Sequence, residues 1–95
     1  MIKKLPDLLK GLDYQLIQGN INQNISTVSY DSRKCTENSI FVAIAGLVAD
    51  GHTFIPGALN FGAKVVVVSK DIVLPKDITI IKVEDTRKAL ALIGA

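Results

Sequence analysis

Four consecutive valines, Val65–Val68, constrain this chain more than any other feature. A β-branched run with no polar alternation reads as a strand covered on both faces, which is the mark of a parallel sheet. A parallel neighbour needs a crossover connection, usually a helix. The preceding residues supply both. Ile40-Phe41-Val42-Ala43-Ile44 is too short for a typical helix and reads as a second buried strand. After it, Asp50 or Gly51 is suited to cap a helix in which Phe54, Ile55, Ala58 and Leu59 recur at helical spacing. Pro56 falls in its first turn, where proline is tolerated, and Gly62 is placed as its stop. These three segments form a βαβ unit.

The flanking segments extend the pattern. Leu5-Pro6-Asp7-Leu8-Leu9-Lys10-Gly11-Leu12 predicts one short helix, with Leu5, Leu8, Leu9 and Leu12 on a single face and Gly11 as its stop. Gln18-Gly19-Asn20 is a turn. Ile25 to Tyr30 alternates roughly with period two and predicts one strand. Asp77 to Val83 predicts a further strand. Asp85-Thr86-Arg87 opens a last helix, with Ala89, Leu90, Leu92 and Ile93 as its apolar residues. The expected fold is a single α/β domain, a small, mostly parallel sheet with flanking helices. The last helix is still apolar at Ala95, so a piece of something longer is expected.

Composition narrows the function. In 95 residues, 48% are hydrophobic and 21% charged, enough apolar material for one core. No apolar run approaches the roughly 20 residues a bilayer span requires. The 11 basic and 9 acidic residues are interspersed, so no nucleic-acid footprint stands out. Met1-Ile2-Lys3-Lys4 lacks the apolar stretch of a signal peptide, and a cytoplasmic protein is expected. The single cysteine, Cys35, and single histidine, His52, leave no ligand set for a structural zinc. Neither a GxxxxGK[ST] nor a GxGxxG run occurs. Any chemistry of a parent enzyme is therefore expected elsewhere.

Two loops follow strands, where open α/β sheets bind ligands. In Tyr30-Asp31-Ser32-Arg33 the serine hydroxyl suits a uracil edge or a phosphate oxygen, and Arg33 offers a planar fork for an anion. The simpler alternative is that Asp31 and Arg33 merely order the loop. In Ala45-Gly46-Leu47-Val48-Ala49-Asp50-Gly51-His52, glycines and a helix N-terminus suit an anion, whereas Asp50 would repel one and favours a plain capping turn. His52 alone is more often structural than catalytic. Cys35 lies beside Lys34, which would lower its thiol pKa, but it lacks a resolving partner.

Taken in order, Asp31-Ser32-Arg33, Ile40-Phe41-Val42-Ala43, Gly46, Asp50-Gly51-His52-x-Phe54-Ile55, Ala58, Gly62-Ala63 and the valine run resemble the N-terminal domain of the Mur ligases. These are ATP-dependent amide ligases that build the peptidoglycan stem peptide. Two members share this pattern. One adds the third residue to UDP-N-acetylmuramoyl-dipeptide, and the other adds D-alanyl-D-alanine to the tripeptide product. The opening Leu8 to Tyr14 and the ending Val83 to Ala91 look more like the first. Many members carry Pro-Gly-Asp before the phenylalanine strand. Here Glu37-Asn38-Ser39 stands instead, and asparagine replaces glycine in a left-handed turn at small cost.

The resemblance implies a division of labour. The N-terminal domain holds the UDP end of the substrate. Central and C-terminal domains, not contained in these residues, bind ATP with magnesium and the incoming amino acid. Substrate contacts to the UDP moiety map onto Tyr30, Ser32, Leu47, Val48 and Ala49. Asp31, Arg33, Gly46, Asp50, Gly51 and His52 take loop-organising roles. The expected partners are UDP-N-acetylmuramoyl-dipeptide and the remaining domains, with no nucleic acid, membrane or metal, and the isolated segment is expected to be inactive. A GTNGKT-type loop following Ala95 would decide for the ligase. The competing reading is a non-enzymatic module that binds another protein through a sheet edge or loops.

Overall fold

A computed structural model describes residues 3–44 and 51–93. The valine run forms a strand, Val65–Val68, in which all four side chains are fully buried. Burying a valine contributes about 1.5–3 kcal/mol, so this run anchors the core. Alternate valines face opposite sides. Val65 and Val67 pack with Ile40, Val42 and Ile81 against Leu5, Leu8, Leu9, Ala89 and Ile93. Val66 and Val68 pack with Phe41 and Ile80 against Ile55, Ala58 and Ala63. One chain thus closes a core on each face of its sheet.

In chain order the elements are β1 (Lys3–Lys4), α1 (Leu5–Leu8), β2 (Gln15–Gln18), β3 (Asn24–Ile25), β4 (Val28–Ser29), a 3-10 turn (Ser32–Lys34), β5 (Ile40–Val42), a second 3-10 turn (Gly51–Phe54), α2 (Ile55–Asn60), β6 (Val65–Val68), β7 (Thr79–Lys82) and α3 (Thr86–Ile93). The main sheet has five strands in the order β2-β7-β6-β5-β4. The pairs β4–β5, β5–β6 and β6–β7 are parallel, with Phe41 opposite Val66 and Val66 opposite Ile80. Only β2 runs antiparallel, along β7. The α/β class, the mostly parallel sheet and the βαβ unit β5-α2-β6 therefore match expectation.

Local chemistry explains the boundaries. Asp85 caps α3, its carboxylate accepting from the N–H groups of Arg87 (3.0 Å) and Lys88 (3.2 Å). Asn38 has φ 64°, taking the left-handed turn in place of glycine as expected. Gly62 (φ 108°) stops α2; a β-carbon there would sit 2.7 Å from Glu37 Cα, so only glycine fits.

Three expectations need correction. The single strand over Ile25 to Tyr30 is split. Ile25 pairs antiparallel with Lys3 in a separate two-stranded sheet, and only Val28–Ser29 joins the main one. Between them Ser26 is drawn to the 37–38 turn, its hydroxyl donating to Glu37 O (2.7 Å) and its N–H to Asn38 O (3.0 Å). The first helix spans only Leu5–Leu8, although Leu9 stays buried and Leu12 packs at the edge of the core. Strand β2 has no counterpart in the sequence reading. Gln15-Leu16-Ile17-Gln18 does not alternate, Leu16 and Ile17 are exposed, and the register shifts between Leu16 and Gln18.

Candidate functional site: a cleft at the carboxyl ends of the parallel strands

Because β4 to β7 run parallel, the segments that follow them emerge at one edge of the sheet. After β4, the backbone of Asp31 is held twice by the buried Ser29. The Ser29 hydroxyl accepts from Asp31 N–H (3.0 Å) and donates to Asp31 O (2.9 Å). The Asp31 carboxylate then caps the 3-10 turn, accepting from Arg33 N–H (3.0 Å), and grips the Arg33 guanidinium through Nε (3.2 Å) and Nη2 (3.1 Å). These hydrogen bonds from Arg33 hold the Asp31 carboxyl below its ordinary range and raise the Arg33 pKa. The guanidinium fork read as an anion receptor is thus turned onto its own loop.

The same residues leave two hydroxyls uncommitted. Tyr30 is 66% exposed, and neither its phenol nor the Ser32 hydroxyl makes a hydrogen bond among the described residues. Behind Ser32 lies α2, where Gly57 leaves room: a β-carbon on it would stand 3.6 Å from Ser32 Oγ. Tyr30, Asp31, Ser32, Arg33 and Phe54 line a cleft of about 470 Å³, within the range of small-molecule sites.

The second loop returns to the sheet edge at Gly51. Its N–H donates to Ile44 O at 2.7 Å, and a β-carbon would come within 2.5 Å of Ile44 N. One residue on, His52 Nε2 accepts from the N–H of Ser69 (3.1 Å), which ties the second 3-10 turn to the end of β6. Gly46, Leu47, Val48, Ala49 and Asp50 lie outside the described residues.

Two further sequence readings change. Phe54, assigned to the apolar face of a helix, is 49% exposed and turns into the cleft wall, whereas Ile55 and Ala58 are buried. Helical spacing alone could not reveal this, because residues 51–54 form a 3-10 turn before α2 begins. Cys35 is buried, and desolvation raises its thiol pKa rather than Lys34 lowering it. Among the described residues no group of three metal-ligating side chains occurs, and no helix is long and apolar enough to cross a membrane.

These features define a class: an α/β domain with a partly aromatic, hydroxyl-bearing cleft at the carboxyl ends of its parallel strands, where open α/β sheets bind ligands. Residues 24–95 match the model of the Mur ligase family, catalytic domain. The chain belongs to the Mur ligase family. It is 47% identical over 91 residues to the UDP-N-acetylmuramoyl-L-alanyl-D-glutamate–2,6-diaminopimelate ligase of Clostridium perfringens, covering 96% of this chain and 19% of that protein. The corresponding ligase of Clostridioides difficile is 43% identical over 91 residues, again covering 96% of this chain and 19% of the relative. Among solved structures, MurF from Acinetobacter baumannii superposes with a TM-score of 0.84 at 26% identity, over 99% of this chain and 20% of that one. The chain thus spans about a fifth of the length of the relatives it matches.

Proposed function

We propose that this chain is the N-terminal, uridine-nucleotide-holding domain of a cytoplasmic, ATP-dependent amide ligase. That ligase adds the third amino acid to UDP-N-acetylmuramoyl-L-Ala-D-Glu in peptidoglycan synthesis. The observation that carries the proposal is the division of roles in the Tyr30–Arg33 loop. Asp31 and Arg33 spend their charges on each other, while Tyr30 and Ser32 present free hydroxyls to the cleft. A hydroxyl both donates and accepts, which suits the mixed edge of uracil. The family resemblance adds Leu47, Val48 and Ala49 to the substrate contacts, through backbone hydrogen bonds or apolar packing on the uracil ring, and gives Gly46, Asp50, Gly51 and His52 loop-organising roles.

The relatives' names favour third-residue addition: proteins 43–47% identical are diaminopimelate ligases. The likeness to MurF at 26% identity supports the alternative, the D-alanyl-D-alanine-adding ligase, less strongly. The residues present do not suit ATP and magnesium, since the chain has no GxxxxGK[ST] run and the described residues no acidic cluster. Those ligands belong to the remaining domains, and this chain alone is expected not to hydrolyse ATP.

The test is titration of the isotope-labelled chain with UDP-N-acetylmuramoyl-dipeptide, followed by amide shifts. Weak binding with shifts at Tyr30–Arg33 and Gly51–His52 is expected. Shifts confined to other regions overturn the proposal.

A further inference from the structure

Phe54 stands out among the exposed apolar side chains. Phe61 is 53% and Val73 97% exposed, and single exposures of this kind are ordinary. Phe54 instead shares one cleft with a second exposed aromatic ring, Tyr30, and with the uncommitted Ser32 hydroxyl. Resting on the nucleotide-holding role above, we propose that Phe54 is a base-stacking wall of the site, taking the planar uracil ring in company with Tyr30.

Three observations support the assignment. The ring is held on a rigid base: Ile55, the next residue, is 2% exposed in the core. Pro56 fixes the start of α2, and His52 is tied to Ser69. The chemistry of the cleft favours a neutral flat group over a phosphate. Among the described residues that line it, the one cation, Arg33, is paired with Asp31, and the others bring two aromatic rings and a hydroxyl. A base stacked on an aromatic ring gains dispersion and loses water from both faces, and the Ser32 hydroxyl reads only an edge. Shape and polarity thus favour a flat, neutral group, which in the nucleotide-holding role above is the uracil ring.

UDP itself is the probe, titrated into the labelled chain and into Phe54→Leu and Phe54→Tyr. Because base stacking on an aromatic ring contributes strongly to affinity, Phe54→Leu should weaken UDP binding on the order of tenfold or more, while Phe54→Tyr retains it. In the wild type, the uracil H5 and H6 protons should shift upfield and give Overhauser contacts to the Phe54 ring. Unchanged Ile55 and Ser69 amides verify that the leucine variant keeps its fold. Equal UDP affinity in Phe54→Leu overturns the assignment and leaves the nucleotide-holding role standing. Bound uracil without contacts to the Phe54 ring does the same, whatever the variants do. No UDP-induced shift at Tyr30–Arg33 overturns both.

Discussion

Alanine at Gly51 and at Gly57, only six residues apart (57 − 51), is expected to move stability in opposite directions. At Gly51 the new β-carbon would stand 2.5 Å from Ile44 N and 2.6 Å from Ile44 O. Both are backbone atoms just beyond β5, and neither can rotate away. Ordinary contact begins near 3.4 Å, so the two segments must part by close to 1 Å. That separation weakens the Gly51 N–H to Ile44 O hydrogen bond of 2.7 Å. A lost hydrogen bond costs about 1 kcal/mol and forced overpacking about 1–3 kcal/mol. The sum, about 2–4 kcal/mol, is a large share of the roughly 5–15 kcal/mol that holds a typical domain together.

At Gly57, inside α2, the β-carbon would meet the Ser32 side chain alone, Oγ at 3.6 Å and Cβ at 3.8 Å, both ordinary contacts. Alanine there removes backbone freedom from the unfolded chain and should stabilise by about 0.5–1 kcal/mol. Urea unfolding followed by far-ultraviolet circular dichroism measures both. With a slope of about 1 kcal/mol per molar for a chain this small, the midpoint should fall by at least about 2 M for Gly51→Ala and rise for Gly57→Ala. A Gly51→Ala midpoint matching wild type, or a Gly57→Ala variant equally damaged, would falsify the reasoning from close approach.

Two further outcomes follow from the titrating groups. Arg33 holds the Asp31 carboxyl below its ordinary value of 3.8, so the folded-state pKa lies beneath the unfolded one. The Asp31–Arg33 contact should be complete above pH 3.8 and lost only as pH falls through that lowered value, seen by the Asp31 carboxyl carbon and Arg33 Nε–H resonances. A transition centred above 3.8 contradicts the cause assigned. Burial raises the Cys35 thiol pKa and shields it. A disulfide reagent at pH 8 should therefore label the folded chain slowly and the urea-unfolded chain quickly; equal rates would place the thiol at the surface.

Much of the fold was legible because certain segments declare burial locally. The valine run, Ile40–Val42 and the spacing of Ile55 and Ala58 each report a face that must be covered, whatever covers it. The left-handed turn at Asn38 was legible too, since few other residues tolerate that conformation. Of the candidate site, the position of the Tyr30–Arg33 loop after a strand was readable, and so was the option that Asp31 and Arg33 order it. The exposure of Phe54 was not, because a 3-10 turn breaks the helical period that placed it inward.

Local sequence thus determined which segments are strands and helices on the apolar faces, and that they assemble as β5-α2-β6 with a parallel sheet. Only the tertiary structure decided the rest. Gln15–Gln18 becomes a strand because β7 offers it a free edge more than 60 residues later. Ile25 and Val28 enter different sheets because Ser26 is bound to residues 37 and 38. His52 finds Ser69, and Phe54 meets the Tyr30 cleft, only after the sheet has aligned the ends of its strands. Periodicity records how much of a segment leaves water. It carries no record of which distant partner takes the water's place, and that pairing is what builds the site.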